Sequence, residues 1–272
     1  MIILQAIFLG IIEGLTEFLP ISSTGHLLIS EKAIGYHDAA RIFTVVIQLG
    51  AIAAVIWYYR TDLISRVVGL FKGKKTDTAF WKNLVVATIP AAVIGIGVDK
   101  LFGTKDLVGV VAAALIIGGL IMLLAEKQFA QRQVKNNANI DGISTKQALA
   151  VGCAQVLSLV PGVSRSGATI VGGMYAGLNR VTATAFSFYL SMPILVMASG
   201  YKLVKGKDDL AAITGGGAAL IAGSIAAFIT ALFTIKWLLK YVAHHDFRPF
   251  AYYRILLGLL LLVLFVTGVI TN

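Results

Sequence analysis

Glu-Phe-Leu-Pro-Ile-Ser-Ser-Thr-Gly-His, from Glu17 to His26, and Ser-Leu-Val-Pro-Gly-Val-Ser-Arg-Ser-Gly-Ala, from Ser158 to Ala168, decide how the rest of the chain is read. Each sets a proline and then a hydroxyl cluster ending in glycine between segments apolar enough for a lipid bilayer. A turn of this kind leaves backbone polar groups unpaired, and hydrocarbon tolerates that only where the turn lines a cavity inside protein. Two such phrases predict one buried polar site, built from two copies of the same device.

The rest of the chain sets the medium. Of 272 residues, 58% are hydrophobic and only 13% charged, with a mean hydropathy of +0.86. Soluble domains carry about a quarter charged residues, so this is an integral membrane protein. The net charge of +10 is spread in short runs between apolar segments, as topology signals are. It is not gathered into a patch, and no nucleic-acid partner is expected. The single cysteine, Cys153, excludes an internal disulfide and reads as a small packing residue among apolar neighbours. Met1 to Leu9 lacks a basic n-region and leads straight into Glu13, so no cleaved leader is expected.

Crossing about 30 Å of hydrocarbon takes about 20 residues. Stretches 42–60, 83–101, 107–126, 181–203, 211–238 and 250–270 meet that length. Regions 1–35 and 145–178 are apolar too, but the two phrases interrupt them, which predicts re-entrant helix-turn-helix hairpins. The order is hairpin, three spans, hairpin, three spans. An odd number of spans per half turns the second half upside down. The expected fold is therefore an all-α polytopic membrane protein with an inverted-topology repeat. A single membrane domain would cover 1–272, with repeats 1–126 and 145–272, and its site would lie near the midplane. Linkers 60–82, 127–146 and 236–248 carry thirteen Lys and Arg residues. The opposite side carries seven: Lys32, Arg41, Lys100, Lys105, Lys202, Lys205 and Lys207. The richer side is expected to be cytoplasmic. The first hairpin then faces outward and the second enters from the cytoplasm.

Glu13 and Glu17 share one face of the first hairpin helix. Two carboxylates so close at membrane depth share a proton or bind a cation. Ser22, Ser23, Thr24 and His26 follow, and Ser23 and His26 are spaced for a hydroxyl and an imidazole to meet on a first helical turn, the nucleophile–base requirement. A serine N-cap before a helix gives the same pattern, so the weight comes from the upstream glutamates. Ser164, Arg165 and Ser166, with Thr169 nearby, supply a fixed cation and hydroxyls at a turn that opens a helix, which suits phosphate. Together the loops offer what phosphoryl transfer needs. Gln48 and Ser191 occupy matching polar positions in the first span of each half. Tyr252, Tyr253 and Trp237 read as an aromatic belt. Arg254 is read either as snorkelling or as reaching the cavity. Gly118-Gly119 and Gly215–Gly217 suit close helix contacts within one protomer or between two, which leaves a homodimer open.

Glu13 to His26 and Pro161 to Gly167 resemble the two signature motifs of the undecaprenyl pyrophosphate phosphatase, or bacitracin-resistance, family. The resemblance extends to Val45–Gly50 and Pro249–Arg254. It implies an enzyme of the bacterial cytoplasmic membrane that hydrolyses C55 isoprenyl pyrophosphate to the monophosphate, recycling the carrier lipid of peptidoglycan synthesis and conferring bacitracin resistance. It also implies a divalent cation, Mg2+ or Ca2+, and a site opening to the external side. By motif, Ser23 is the nucleophile and His26 its base or the proton donor to the leaving group. Arg165 holds the pyrophosphate with Ser164, Ser166 and Thr169, with Ser22, Thr24 and Gln48 as further substrate contacts, while Glu13 and Glu17 bind the metal or orient the base. A metal-activated water is the alternative to a seryl-phosphate. An isoprenyl-phosphate flippase has the same kind of architecture and needs an anion clamp, but not a hydroxyl and imidazole beside two carboxylates.

Overall fold

The computed structural model describes residues 1–36, 38, 41–102, 108–131, 139–205 and 214–270. These form ten α-helices and no strand among the described residues: α1 Ile2–Thr16, α2 Ser23–Ile34, α3 Ile42–Phe71, α4 Lys75–Phe102, α5 Val108–Gln131, α6 Thr145–Val156, α7 Arg165–Tyr175, α8 Arg180–Lys205, α9 Gly216–Val242 and α10 Arg248–Val266. Six are long and apolar enough to cross a membrane: α3, α4, α5, α8, α9 and α10. Each overlaps one of the six stretches the hydropathy picks out, of which 107 and 211–213 lie outside the described residues. Two short pairs, α1/α2 and α6/α7, each precede a trio of long helices. The chain is a multi-pass, all-helical membrane protein.

The helices run past the limits that hydrocarbon thickness sets. α3 has 30 residues, about 45 Å at 1.5 Å each, because its charged end folds onto itself and its neighbours. Arg66 Nε donates to Asp62 Oδ2 at 2.7 Å, and Arg66 Nη1 to Asp141 Oδ1 at 2.6 Å. The Tyr189 hydroxyl donates to Asp62 Oδ2 at 2.5 Å. Asn83 and Thr145 hydrogen-bond at the same end, where α6 begins. Buried Glu126 there accepts from Arg180 and from the Phe247 amide, tying together the end of α5 and the starts of α8 and α10. At the other end of the bundle Gln5 Nε2 donates to the Ile34 carbonyl, and the Tyr36 hydroxyl to the Thr214 carbonyl. Of the counted cations, Lys105, Arg132, Lys135 and Lys207 lie outside the described residues.

The α1/α2 pair is tied down at the second of these ends through Gln5 and Ile34, and the start of α6 at the first through Thr145 and Asn83. α1 lies along α9, and α6 along α4. Both crossings are close. A methyl at Gly14 would fall 2.4 Å from the Ala227 carbonyl oxygen, and one at Gly152 2.5 Å from that of Ala87. α3 packs on α8, and α5 on α10. Gly119 faces the Ala251 carbonyl while Gly258 faces that of Ala112, so these contacts join helices of one chain. Cys153, read as a packing residue, instead lies on the exposed face of α6.

Candidate active site

Both hydroxyl turns close with the same backbone device. Ser22 caps α2 at φ 73° and ψ 96°, its hydroxyl accepting from the Gly25 amide at 3.4 Å. Ser164 caps α7 at φ 71° and ψ 114°, accepting from the Gly167 amide at 3.1 Å. A non-glycine residue at positive φ costs roughly 1–3 kcal/mol and persists only where its surroundings impose it. Two serines at the same strained angle aim the first turns of α2 and α7 into one junction. Helix N-termini favour anions.

Glu17 and Arg165 meet in that junction. Arg165 Nη2 donates to Glu17 Oε1 at 2.8 Å, and the two side chains are 8% and 5% exposed. The Ser23 hydroxyl donates to the other oxygen, Glu17 Oε2, at 2.6 Å. Ser166 Oγ reaches across to the Leu19 carbonyl at 2.8 Å. Arg165 Nη1 donates to the Ser187 carbonyl of α8 at 3.2 Å. Thr169 and Ser187 share a hydroxyl contact of 2.6 Å. Phe18 lies under the guanidinium, 5.8 Å from its ring centre.

Two polar atoms in this knot are buried without a hydrogen-bond partner: Arg165 Nε and Glu13 Oε1. Buried polar groups in folded proteins are nearly always paired, so each of these atoms has hydrogen-bonding capacity that the described residues do not use. Nε is a spare donor on a fixed cation and suits a phosphate oxygen. The Glu13 oxygen is a spare acceptor on the same face of α1 as Glu17, and suits a cation.

His26 does not make the Ser23 contact that its spacing allows. Its Nδ1 bonds back to the Ser22 carbonyl at 2.7 Å, one helical turn away, and its Nε2 meets the Tyr253 hydroxyl at 2.7 Å. With Nδ1 donating to a carbonyl, Nε2 is the acceptor for Tyr253. Ser23 instead donates to Glu17, and Tyr253, 44% exposed on α10, reaches inward to His26. Thr24 and Gln48 line a cavity of about 140 Å³ beside the junction, with Glu31, Arg41, Thr44 and Lys202. Ser191 bonds its own helix at the Phe188 carbonyl and takes no part. Ser22 and Ser164 spend their hydroxyls on the caps, and Ser164 also touches Ser166 at 3.0 Å.

The sequence allows Arg254 either to snorkel or to reach the cavity. It is 1% exposed and turns inward. Nη1 donates to the Pro20 carbonyl at 3.1 Å, and Nη2 to those of Val163 at 2.9 Å, Ala114 at 3.2 Å and Gly162 at 3.4 Å. The signal was an arginine in an otherwise apolar span.

The family described as bacitracin resistance protein BacA matches residues 6–260. An undecaprenyl-diphosphatase of Methylobacillus flagellatus is 46% identical over 275 residues, covering 96% of this chain and 97% of that protein. One from Bordetella avium is 45% identical, covering 93% and 94%. Another, from Acinetobacter baumannii, is 46% identical, covering 96% and 95%. With a family match over nearly its whole length, the chain belongs to the bacitracin resistance protein BacA family.

Proposed function

We infer that this protein is a membrane undecaprenyl-diphosphatase, hydrolysing undecaprenyl pyrophosphate to undecaprenyl phosphate and inorganic phosphate. This recycles the lipid carrier of peptidoglycan synthesis and, by removing the pyrophosphate lipid, confers bacitracin resistance. Relatives of that name align over almost the entire chain. The observation that carries the chemistry is Glu17 held between the Ser23 hydroxyl and the Arg165 guanidinium. A carrier needs the guanidinium but has no use for a carboxylate poised on a hydroxyl, so the flippase reading is not favoured.

The mechanism follows from that contact. The terminal phosphoryl group is held by Arg165, whose Nε is free to donate, and by the amides that open α2 and α7. Ser23 Oγ attacks the terminal phosphorus as its proton passes to Glu17 Oε2. The bridging P–O bond breaks and its electron pair leaves with undecaprenyl phosphate. The departing undecaprenyl phosphate carries off the proton held by Glu17; water then attacks the seryl-phosphate as its own proton passes to Glu17, and the P–Oγ bond breaks to restore the Ser23 hydroxyl and release inorganic phosphate. Charge neutralisation and positioning, more than covalent chemistry, lower such barriers.

Glu13 and Glu17 suit a divalent cation in the sparse manner of Mg2+, which takes one or two carboxylates and completes its shell with water and substrate phosphate. The unpartnered Glu13 oxygen supports this. No cluster of three His, Cys, Asp or Glu residues that could form a protein cage occurs among the described residues. A bound cation supplies charge neutralisation at the phosphates. Glu13 would hold it, while Glu17 accepts the Ser23 proton.

The architecture is an inverted repeat with two re-entrant hairpins. In support, the main helix pairings survive exchange of the halves: α1 on α9 answers to α6 on α4, and α3 on α9 to α8 on α4, while α3 with α8 and α5 with α10 are self-matching pairs. The end with Arg66 and Glu126 is cytoplasmic. The cavity at Thr24 and Gln48 opens toward the external side of the cytoplasmic membrane. The test is phosphate release from undecaprenyl pyrophosphate by purified protein in detergent, with magnesium, calcium or chelator. Release that needs the cation is expected; none from folded, lipid-supplied protein overturns the reading.

A further inference from the structure

We propose that Arg254 is a positioning residue whose guanidinium clasps the two hydroxyl turns together, so that Ser23, Glu17 and Arg165 meet. Its residue type alone does not account for its position. A buried guanidinium is costly to desolvate and is ordinarily paired with a carboxylate. Among the described residues, the hydrogen bonds of Arg254 all go to backbone carbonyls. Pro20 belongs to the first turn, Gly162 and Val163 to the second, and Ala114 and Leu115 to α5 between them. The carbonyls in the turns lie outside any helical ladder and need a donor. A planar fork with five N–H groups can serve acceptors on both sides at once, which an ammonium cannot.

Two glycines clear the way for it. A methyl at Gly118 on α5 would fall 2.1 Å from Arg254 Nη2, and one at Gly167 on α7 2.8 Å from Nη1. Gly118 touches none of Ser23, Glu17 or Arg165 in the contacts described, yet its lack of a side chain gives the guanidinium its channel. The second turn carries a matching constraint. Gly162 sits at φ 92°, and a methyl there would fall 2.7 Å from the Val111 Cα, so the turn lies pressed against α5 where the fork reaches it.

This rests on the phosphatase reading for one of its two readouts. The experiment compares wild type with Arg254→Ala, Arg254→Lys, Gly118→Ala and Arg248→Gln, each checked for monodispersity in detergent. Arg248 lies on the same helix with a half-exposed side chain paired to Asp246, and its variant should behave as wild type. Displacing reacting groups by an ångström costs about 100-fold in turnover. A kcat fall of that order, with KM changed less than about threefold, is expected for Arg254→Ala and Gly118→Ala. Arg254→Lys should keep the protein folded without restoring kcat, because charge alone does not bridge two turns. The second readout is amide hydrogen exchange. Residues 17–26 and 158–168 should lose protection together in Arg254→Ala while α4 and α9 keep theirs. Unchanged exchange in both turns, or near-normal kcat in Arg254→Ala, overturns the clasp. Inactive wild type would sink the phosphatase reading, and the exchange comparison would still decide the clasp.

Discussion

Glu17 and Arg165, 148 residues apart in sequence, form a 2.8 Å ion pair that joins the two hairpin turns. The pair is nearly dry, so removing one partner leaves the other charge buried and uncompensated, at a cost of about 3–5 kcal/mol. Arg165→Ala is therefore expected to lose phosphate release by at least about 1000-fold and to unfold at lower temperature. Arg165→Lys keeps a charge but not the fork, and should recover more stability than activity. Turnover near wild type in a folded Arg165→Ala protein would show that the phosphate is held elsewhere.

Ser23 and Glu17 act as one unit if the 2.6 Å contact between them is the path of the proton. General-base catalysis contributes about 100- to 10,000-fold, so Glu17→Gln should cost at least the lower figure. Groups that work together lose activity non-additively. The Ser23→Ala/Glu17→Gln double variant should then be little slower than the worse single variant. Multiplicative losses would point instead to water as the nucleophile, with Glu17 and Ser23 serving it separately.

The His26–Tyr253 contact of 2.7 Å gives a third test. His26→Ala and Tyr253→Phe break the same hydrogen bond, and residues in one network are expected to couple by about 0.5–3 kcal/mol. A double-mutant cycle on kcat/KM measures it. Coupling near zero would mean that the two rings merely lie beside each other, parallel to within 6°.

How these groups come together was legible only in part. The six spans and the two interrupted apolar regions that become the short pairs α1/α2 and α6/α7 were readable because hydrocarbon thickness and unpaired backbone impose strong patterns. Glu13, Glu17, Ser23 and Arg165 stood out as polar groups where polar groups are expensive. Which hydroxyl meets which base was not readable. Spacing put Ser23 and His26 within reach, but Ser22 at positive φ turns the first residues of α2 so that Ser23 faces Glu17 and His26 faces α10. The inward contacts of Tyr253, read as a belt residue, and of Arg254, left between two readings, were hidden for a related reason. Their partners, His26 and Pro20, are more than 200 residues away, and no local pattern encodes that distance.

At the opposite end, Arg66 is the shared partner of Asp62, Asp77 and Asp141, which lie on α3, on α4 and just before α6. Asp62 and Asp141 are partly exposed, which reduces what a fully buried cluster would contribute. Arg66→Met should still destabilise the protein by about 2 kcal/mol, since the remaining carboxylates would repel. Activity per folded molecule should be close to wild type, because none of these residues touches the junction. Thermal unfolding in detergent, followed alongside initial rates, separates the two; a loss of kcat without a loss of stability would place the cluster in the catalytic cycle.

Glu13 is the remaining buried acid, and its unpartnered oxygen sets the last expectation. If it holds the cation, Glu13→Gln should raise the concentration of Mg2+ or Ca2+ for half-maximal activity by at least about tenfold, as losing a metal-supporting group commonly does. Binding can be read without turnover. A ligand that binds only the folded state raises stability with its concentration, so calcium should raise the melting temperature of wild type and leave Glu13→Gln largely unmoved. The amide keeps the shape of the side chain, so a difference reports charge and coordination rather than packing. Equal calcium responses in the two proteins would remove Glu13 from the metal site and leave its buried oxygen to be explained by a shared proton with Glu17.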